Sequence, residues 1–189
     1  MQEWRNFWSD ATVSLRAIEP GDVEYFQRWN LDSERARLLD FLWPPQSEVT
    51  LRRWVEEQAQ RKLENDAFHW VIENRQGEPV GSIATHRCNH RDGVFSYGVD
   101  VAHEHRRRGY AAAAIVLILR YYFSHLRYQK ASVAVHGDNE ACLRLHDKLG
   151  FRREGVLRRH VFTNGVFVDL VWFGMTVEEF GALHTFDAP

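Results

Sequence analysis

Tyr97-Gly-Val-Asp-Val-Ala-His-Glu-His-Arg-Arg-Arg-Gly-Tyr-Ala-Ala-Ala-Ala-Ile115 is the stretch on which the fold turns. Its first residues have the character of a strand, and Arg106, Arg107 and Arg108 form a short basic turn closed by Gly109. From Tyr110 the chain reads as a helix whose first turn is almost all alanine. The first N–H groups of a helix have no partner within it, and the helix dipole places positive potential there, so such a start receives anions. Gly109 and Ala111 keep side chains out of the way of a bulky phosphate approaching the backbone. The three arginines add formal charge at the same place, an arrangement that suits a pyrophosphate.

Outward from this stretch the elements alternate. Residues 94–101 are the strand that leads in, and Gly93 ends the turn before it. Residues 67–73 and 80–87 are strands separated by Asn74-Arg-Gln-Gly77, a hairpin signal. Residues 12–17 alternate as a first strand, followed by the turn Glu19-Pro20-Gly21-Asp22, with Asp22 as cap of a helix over 23–30. Phe41-Leu-Trp-Pro-Pro45 is an apolar loop. Ser47 or Thr50 then caps a helix running to about Leu63, with Leu51, Trp54, Val55 and Ala59 at helical spacing.

Downstream, the helix over 109–125 has a first half that is apolar on every face, which implies burial. Residues 131–136 are a strand, and 139–149 a helix ended by Gly150. Strands over 155–162 and 166–175 flank an Asn164-Gly165 turn, and Thr176 starts a short terminal helix. Strand-helix-strand-helix between hairpins predicts an α/β (α+β) fold, a mixed sheet with helices on both faces. The basic turn then lies at the carboxyl end of a strand, where open sheets bind ligands.

Composition narrows the function classes. The 189 residues fit one domain over 1–189, with a core of about 12–175 and loosely ordered ends. A hydrophobic fraction of 44% with 26% charged residues is globular rather than disordered. The formal net charge of -2 argues against nucleic acid or anionic membrane as partner. Cys88 and Cys142 form no metal or disulfide framework and fit a reducing cytoplasm. No apolar signal region follows Met1, and the longest apolar run, residues 110–119, is too short to span a bilayer. His103-Glu104-His105 lacks a third ligand, so no metal is expected.

The anion turn discriminates among known phosphate motifs. A dinucleotide fingerprint needs G-x-G-x-x-G, of which only Gly109 is present, and a P-loop needs a Lys and a Ser/Thr that are missing. The run does fit [RQ]-x-x-G-x-[GA], as Arg106-Arg-Arg-Gly109-Tyr-Ala111. It resembles the acetyl-CoA pyrophosphate loop of the GNAT superfamily of acyl-CoA-dependent N-acyltransferases. Asn139-Glu-Ala-Cys-Leu-Arg-Leu-His-Asp-Lys-Leu-Gly-Phe151 resembles that superfamily's second signature, an Asn before a helix ending in Leu-Gly-Phe. Trp43-Pro44, Gly155-Val-Leu157 and Thr163-Asn-Gly-Val-Phe-Val-Asp169 are similar to the branch holding the ribosomal-protein N-terminal and the spermidine acetyltransferases. The likeness runs from about Thr12 to Met175.

What the resemblance implies is specific. The sheet would be mostly antiparallel, with a V-shaped splay between two central parallel strands. Arg106, Arg107, Arg108, Gly109, Tyr110, Ala111 and Ala112 would hold the pyrophosphate of acetyl-CoA. The acyl-pantetheine would lie in the splay like an added strand, along Val99 and Val101, with Asn139 and Cys142 on its path. Backbone groups near Tyr97 would hold the thioester, one N–H steadying the oxyanion; the Tyr97 side chain would pack in the core. Dimers are common among similar proteins.

Proton transfer separates the possible acceptors. At pH 7 an amine of pKa near 10.4 is neutral in about one molecule in a few thousand, a handicap of roughly 4–5 kcal/mol, while an α-amine near pKa 8 is only about 1 kcal/mol short. A protein or peptide α-amine is therefore the first acceptor class, a polyamine the second, and an aminoglycoside or other small amine the third. A non-catalytic CoA-binding module on the same fold is the rival from another class.

The family's usual acid and base are altered here. His146 stands where many of these enzymes have Tyr, and it reads either as proton donor to the CoA sulfur or as a partly exposed helix-edge residue. Cys142 stands where the N-terminal acetyltransferase branch often has Ser, and reads as a small packed thiol. No Glu matches the branch's usual base, since the region reads Gly93-Val94-Phe95; His86 and His90, on or after the preceding strand, read either as surface residues, the favoured reading, or as groups facing the same cleft. Glu34, Asp40 and Glu48 are the carboxylates available near the Trp43-Pro44 loop for a polyamine.

Overall fold

The computed structural model describes residues 6–39, 42–62 and 64–186, so the expectations placed on Asp40, Phe41 and Leu63 lie outside the described residues. The chain runs β1 (Val13–Ala17), α1 (Val23–Asn30), α2 (Ser33–Leu39), α3 (Glu48–Ala59), β2 (His69–Asn74), β3 (Pro79–Asn89), β4 (Val94–Val101), α4 (Tyr110–Ser124), β5 (Lys130–His136), α5 (Glu140–Leu149), β6 (Arg152–Thr163), β7 (Val166–Thr176) and α6 (Val177–Leu183). The strands form one sheet in the order β1-β2-β3-β4-β5-β7-β6. Every neighbouring pair is antiparallel except β4 and β5, which are parallel.

Alternation along the strands divides the core into two layers. Trp70 and Ile72 of β2 join Ala114, Ile115, Leu117 and Ile118 of α4 on one face of the sheet. Val71, between them, joins Phe26 and Trp29 of α1 and Leu51 and Val55 of α3 on the other. Helices thus cover both faces, as the pattern of elements predicted. Leu145 and Leu149 of α5 and Phe180 of α6 pack into the α4 layer.

Several local expectations are corrected. Asp22 does not cap α1 with its side chain. Its carboxylate instead accepts from Arg16, 2.7 and 2.8 Å, and from the backbone N–H of Glu19, 2.8 Å, because the guanidinium on β1 is a stronger partner than a free amide. Ser47, not Thr50, caps α3, accepting from the Thr50 N–H at 3.2 Å. That helix stops at Ala59 rather than near Leu63. Helix α2 was not foreseen; Asp32 caps it, accepting from the Arg35 N–H at 2.9 Å. The first turn of α4 is half-buried rather than buried, and full burial begins at Ala114.

Candidate active site

Strands β4 and β5 pair only at Val94↔Lys130 and Phe95↔Ala131. Gly93 fixes this pivot, its carbonyl accepting from the N–H groups of Gln129, 2.8 Å, and Lys130, 3.1 Å. Beyond the two rungs the strands part, and their facing edges have no ladder partner. A cleft of about 600 Å³ opens there, lined by Tyr97, Gly98 and Val99 of β4, Val133 to His136 of β5, and Cys142 and His146 of α5.

Helix α2 crosses this opening and holds both sides. Arg35 ion-pairs with Asp100 of β4, both side chains buried, and donates to the Trp29 carbonyl at 3.0 Å. Burial pushes the Asp100 carboxyl above the usual carboxylate range, against the pull of Arg35 and Arg106. Arg37 meets Asp138 at 2.6 Å, and Asn139 Nδ2 donates to the Leu38 carbonyl at 3.4 Å, which ties α2 to the segment between β5 and α5. Leu38 and Leu39 form part of the cleft wall.

The basic turn lies beyond the cleft, past Val101. A short 3-10 turn, His103–His105, follows β4. Arg106 folds back, its Nε donating to the Val101 carbonyl at 3.2 Å and its guanidinium lying 3.7 Å from Asp32. Arg107 and Arg108 are exposed, Arg108 donating to the Glu104 carbonyl at 3.3 Å. Gly109 takes φ 85°, and no side chain caps α4. The first backbone bond of the helix is Ala113 N–H to the Gly109 carbonyl, 3.0 Å, so the N–H groups of Tyr110, Ala111 and Ala112 precede the helical ladder. A Cβ at Gly109 would meet no protein atom within 4 Å, so the space over this turn is open to a ligand.

His146 is 2% exposed, which overturns the reading of a partly exposed helix-edge residue. Its ring is enclosed by Tyr97 of β4, Phe151 at the start of the chain into β6, and Phe173 of β7. Nδ1 lies 2.9 Å from the Cys142 carbonyl, and Nε2 lies 3.0 Å from the Tyr97 hydroxyl. A carbonyl can only accept, so Nδ1 carries the hydrogen; Nε2 of the neutral ring then accepts from Tyr97 O–H. Burial lowers the His146 pKa and raises that of Tyr97 well above the ordinary phenol, so both are neutral near pH 7. The Tyr97 side chain therefore has a polar partner at the cleft, beyond the core packing expected of it.

Asn139 caps α5, accepting from the Cys142 N–H at 3.1 Å, and its side chain also lines the cleft. Cys142 has its thiol pKa pushed up to about 11 by burial, which keeps it protonated and fits a packed thiol. His86 lines the cleft; His90 does not, lying 3.7 Å from Asp66 beside Tyr128. His136 and His160 also line the cleft and were not singled out from sequence. They sit on strands far apart in the chain, and only the strand order brings them together. Among the described residues no Asp or Glu lines the cleft. Glu34 is exposed on α2, and Glu48 is engaged by Arg52 at 2.9 Å. No group of three or more His, Cys, Asp or Glu among the described residues could hold a metal.

Residues 12–152 match the family described as the acetyltransferase (GNAT) domain. An uncharacterized N-acetyltransferase, YokL, derived from the SPbeta prophage of Bacillus subtilis strain 168, is 40% identical over 178 residues, covering 94% of this chain and 97% of its own. The spermidine N(1)-acetyltransferase of Vibrio cholerae is 25% identical over 166 residues, covering 85% of this chain and 91% of its own. Among solved structures, spermidine N-acetyltransferase from Vibrio cholerae in complex with CoA and spermine superposes with a TM-score of 0.78 at 22% identity, over 90% of this chain and 99% of the other, a likeness of fold.

Proposed function

Because the chain belongs to the GNAT family of N-acetyltransferases, we propose that it moves an acetyl group from acetyl-CoA to the α-amine of a protein or peptide. The family supplies the reaction class and the donor. The observation that carries the acceptor is the cleft wall: four histidines, Arg87, the neutral polar Ser96 and Asn139, and otherwise aromatic, thiol and apolar residues, with no carboxylate among the described residues. A polyamine keeps two or more ammonium groups in water and needs anionic partners when it is desolvated. An α-amine is neutral in about a tenth of molecules at pH 7 and asks for no such partner.

In this reading the N–H groups at the start of α4, with Arg107 and Arg108, hold the pyrophosphate. The pantetheine arm lies between the parting edges of β4 and β5, along Val99 and Val101 and past Asn139 and Cys142. A backbone N–H near Tyr97 steadies the oxyanion while the amine nitrogen bonds to the thioester carbon and the carbon–sulfur bond breaks. The whole chain acts as one catalytic domain, in the cytoplasm, where its two free thiols stay reduced.

Polyamine acetylation is the second reading, favoured by the likeness to spermidine N(1)-acetyltransferase. The test is CoA-thiol release over N-terminal peptides, polyamines and aminoglycosides. A higher kcat/KM for peptide α-amines supports the first reading, and preference for spermidine replaces it with the second. Binding of acetyl-CoA without thiol release from any acceptor would leave a CoA-binding module.

A further inference from the structure

We propose that Tyr97, hydrogen-bonded to His146 at the cleft, carries the proton from the attacking amine to the departing thiolate, so that one pair of side chains serves first as base and then as acid. The inference rests on the acetyltransferase reading above and assigns its proton path. Amide formation moves one proton from nitrogen to sulfur, and the cleft offers no carboxylate among the described residues to take it. Cys142, with its thiol held protonated, is no base either. The pair supplies both halves of the transfer.

The hydrogen-bond directions set the order of events. Nδ1–H is committed to the Cys142 carbonyl at 2.9 Å, so Nε2 is the one free lone pair of the ring, and Tyr97 O–H points at it from 3.0 Å. His146 therefore cannot donate from Nε2 in the resting state, which reverses the acid role considered for it from sequence. When the amine nitrogen has bonded to the carbonyl carbon, its N–H proton passes to the Tyr97 oxygen while the Tyr97 proton passes to Nε2. The imidazolium so formed donates through both nitrogens, to the Cys142 carbonyl and to Tyr97. When the carbon–sulfur bond breaks, Tyr97 gives a proton to the thiolate and recovers one from Nε2, which restores the starting state. No proton is gained or lost from outside.

Tyr97 is the group that meets the reacting atoms; His146 acts through it and is a positioning residue. Burial, the Cys142 carbonyl and Asp147 on α5 set its affinity for a proton; Tyr97 from β4 is its hydrogen-bond partner, and His86, Arg87, His136 and His160 are the other titratable or charged groups that line the same cleft. The aromatic enclosure by Phe151 and Phe173 adds no charge.

Steady-state kinetics and acetyl-CoA calorimetry on wild type, Tyr97→Phe, His146→Gln and the double variant test the assignment. Tyr97→Phe should lower kcat about 100-fold, the lower end of what general acid–base catalysis contributes, with acetyl-CoA affinity little changed. The double variant should be no slower than the worse single one, because the two act as a unit. The wild-type kcat should fall on the acid side as His146 protonates, and His146→Gln should lose that limb with the same acceptor. Wild-type kcat and pH profile in Tyr97→Phe would overturn the proposal. Imidazole ¹⁵N shifts of the wild-type protein give a reading independent of the variants' folding: an unprotonated Nε2 supports the shuttle, and an Nε2–H tautomer ends it. A wild type that binds acetyl-CoA but turns over no acceptor would refute the enzymatic reading instead.

Discussion

Replacing Gly109 by Ala separates the cost of a strained backbone from the cost of a blocked ligand, provided a matched control is made at Gly165. Both glycines adopt positive φ, 85° at Gly109 and 79° at Gly165, and a Cβ at either would meet no protein atom within 4 Å. An L-residue in the left-handed region costs about 1–2 kcal/mol. The loss of unfolded-state freedom on going from Gly to Ala returns about 0.4–1 kcal/mol. Each variant should therefore lose about 1 kcal/mol, a fall in Tm of roughly 2–4 °C for a chain of this size.

The two variants should differ in donor binding. Gly165 sits in the β6–β7 turn, while Gly109 precedes the uncapped start of α4. A methyl group over that start holds a phosphate away from one or two N–H groups. A hydrogen bond to a charged group contributes about 1.5–3 kcal/mol, which is roughly 10- to 100-fold in Kd per contact. Calorimetric titration with acetyl-CoA should show this loss for Gly109→Ala and none for Gly165→Ala. Equal affinity in both variants and the wild type would refute the placement of the pyrophosphate at this turn.

Arg35→Met should destabilise the protein by about 3–5 kcal/mol in urea unfolding, since it strands the buried Asp100 carboxylate without its partner; adding Asp100→Asn should recover much of that loss. Burial, then the charge of Arg61, lowers His69 to about pKa 4. Its folded pKa is below the unfolded value of about 6.5, so the unfolded chain binds the extra proton. Stability from this residue is present above pH 6.5 and is lost as pH falls toward 4, a slope that His69→Phe should flatten in Tm measurements across that window. His86 and His146, lowered by the same cause, add slope of the same sign.

The strands were legible because their signals are local. Asn74 to Gly77 and Asn164-Gly165 announce turns by residue type, and the alternation on either side fixes which residues face in. The start of α4 was legible for the same reason: Gly109 followed by alanines is a local arrangement. Helix α2 was not, because Arg35 occupies a core position and breaks the apolar period; what buries it is an ion pair with a residue 65 positions away. His146 looked like an edge position on its own helix. Its burial comes from Tyr97, Phe151 and Phe173, which lie outside that helix and which helical spacing cannot reveal. The same holds for His136 and His160, whose convergence depends on β7 lying between β5 and β6.

The narrow parallel contact between β4 and β5 also bears on how the molecule comes apart. The strands from β1 to β4 and those from β5 to β7 form two runs of continuous ladder, joined within the sheet by two rungs at Phe95 and its neighbour. Across the open side the joint is made by α2, through Arg35 on one run and Arg37 on the other. The α4 layer nevertheless binds both runs into one hydrophobic core, so the seam is a place for local opening in the sheet and not a boundary between independent folding units. A thioester arm laid along both free edges would close that local opening. Donor binding would then be felt as amide-exchange protection on both sides of the seam, beyond the rise in Tm that mass action alone requires.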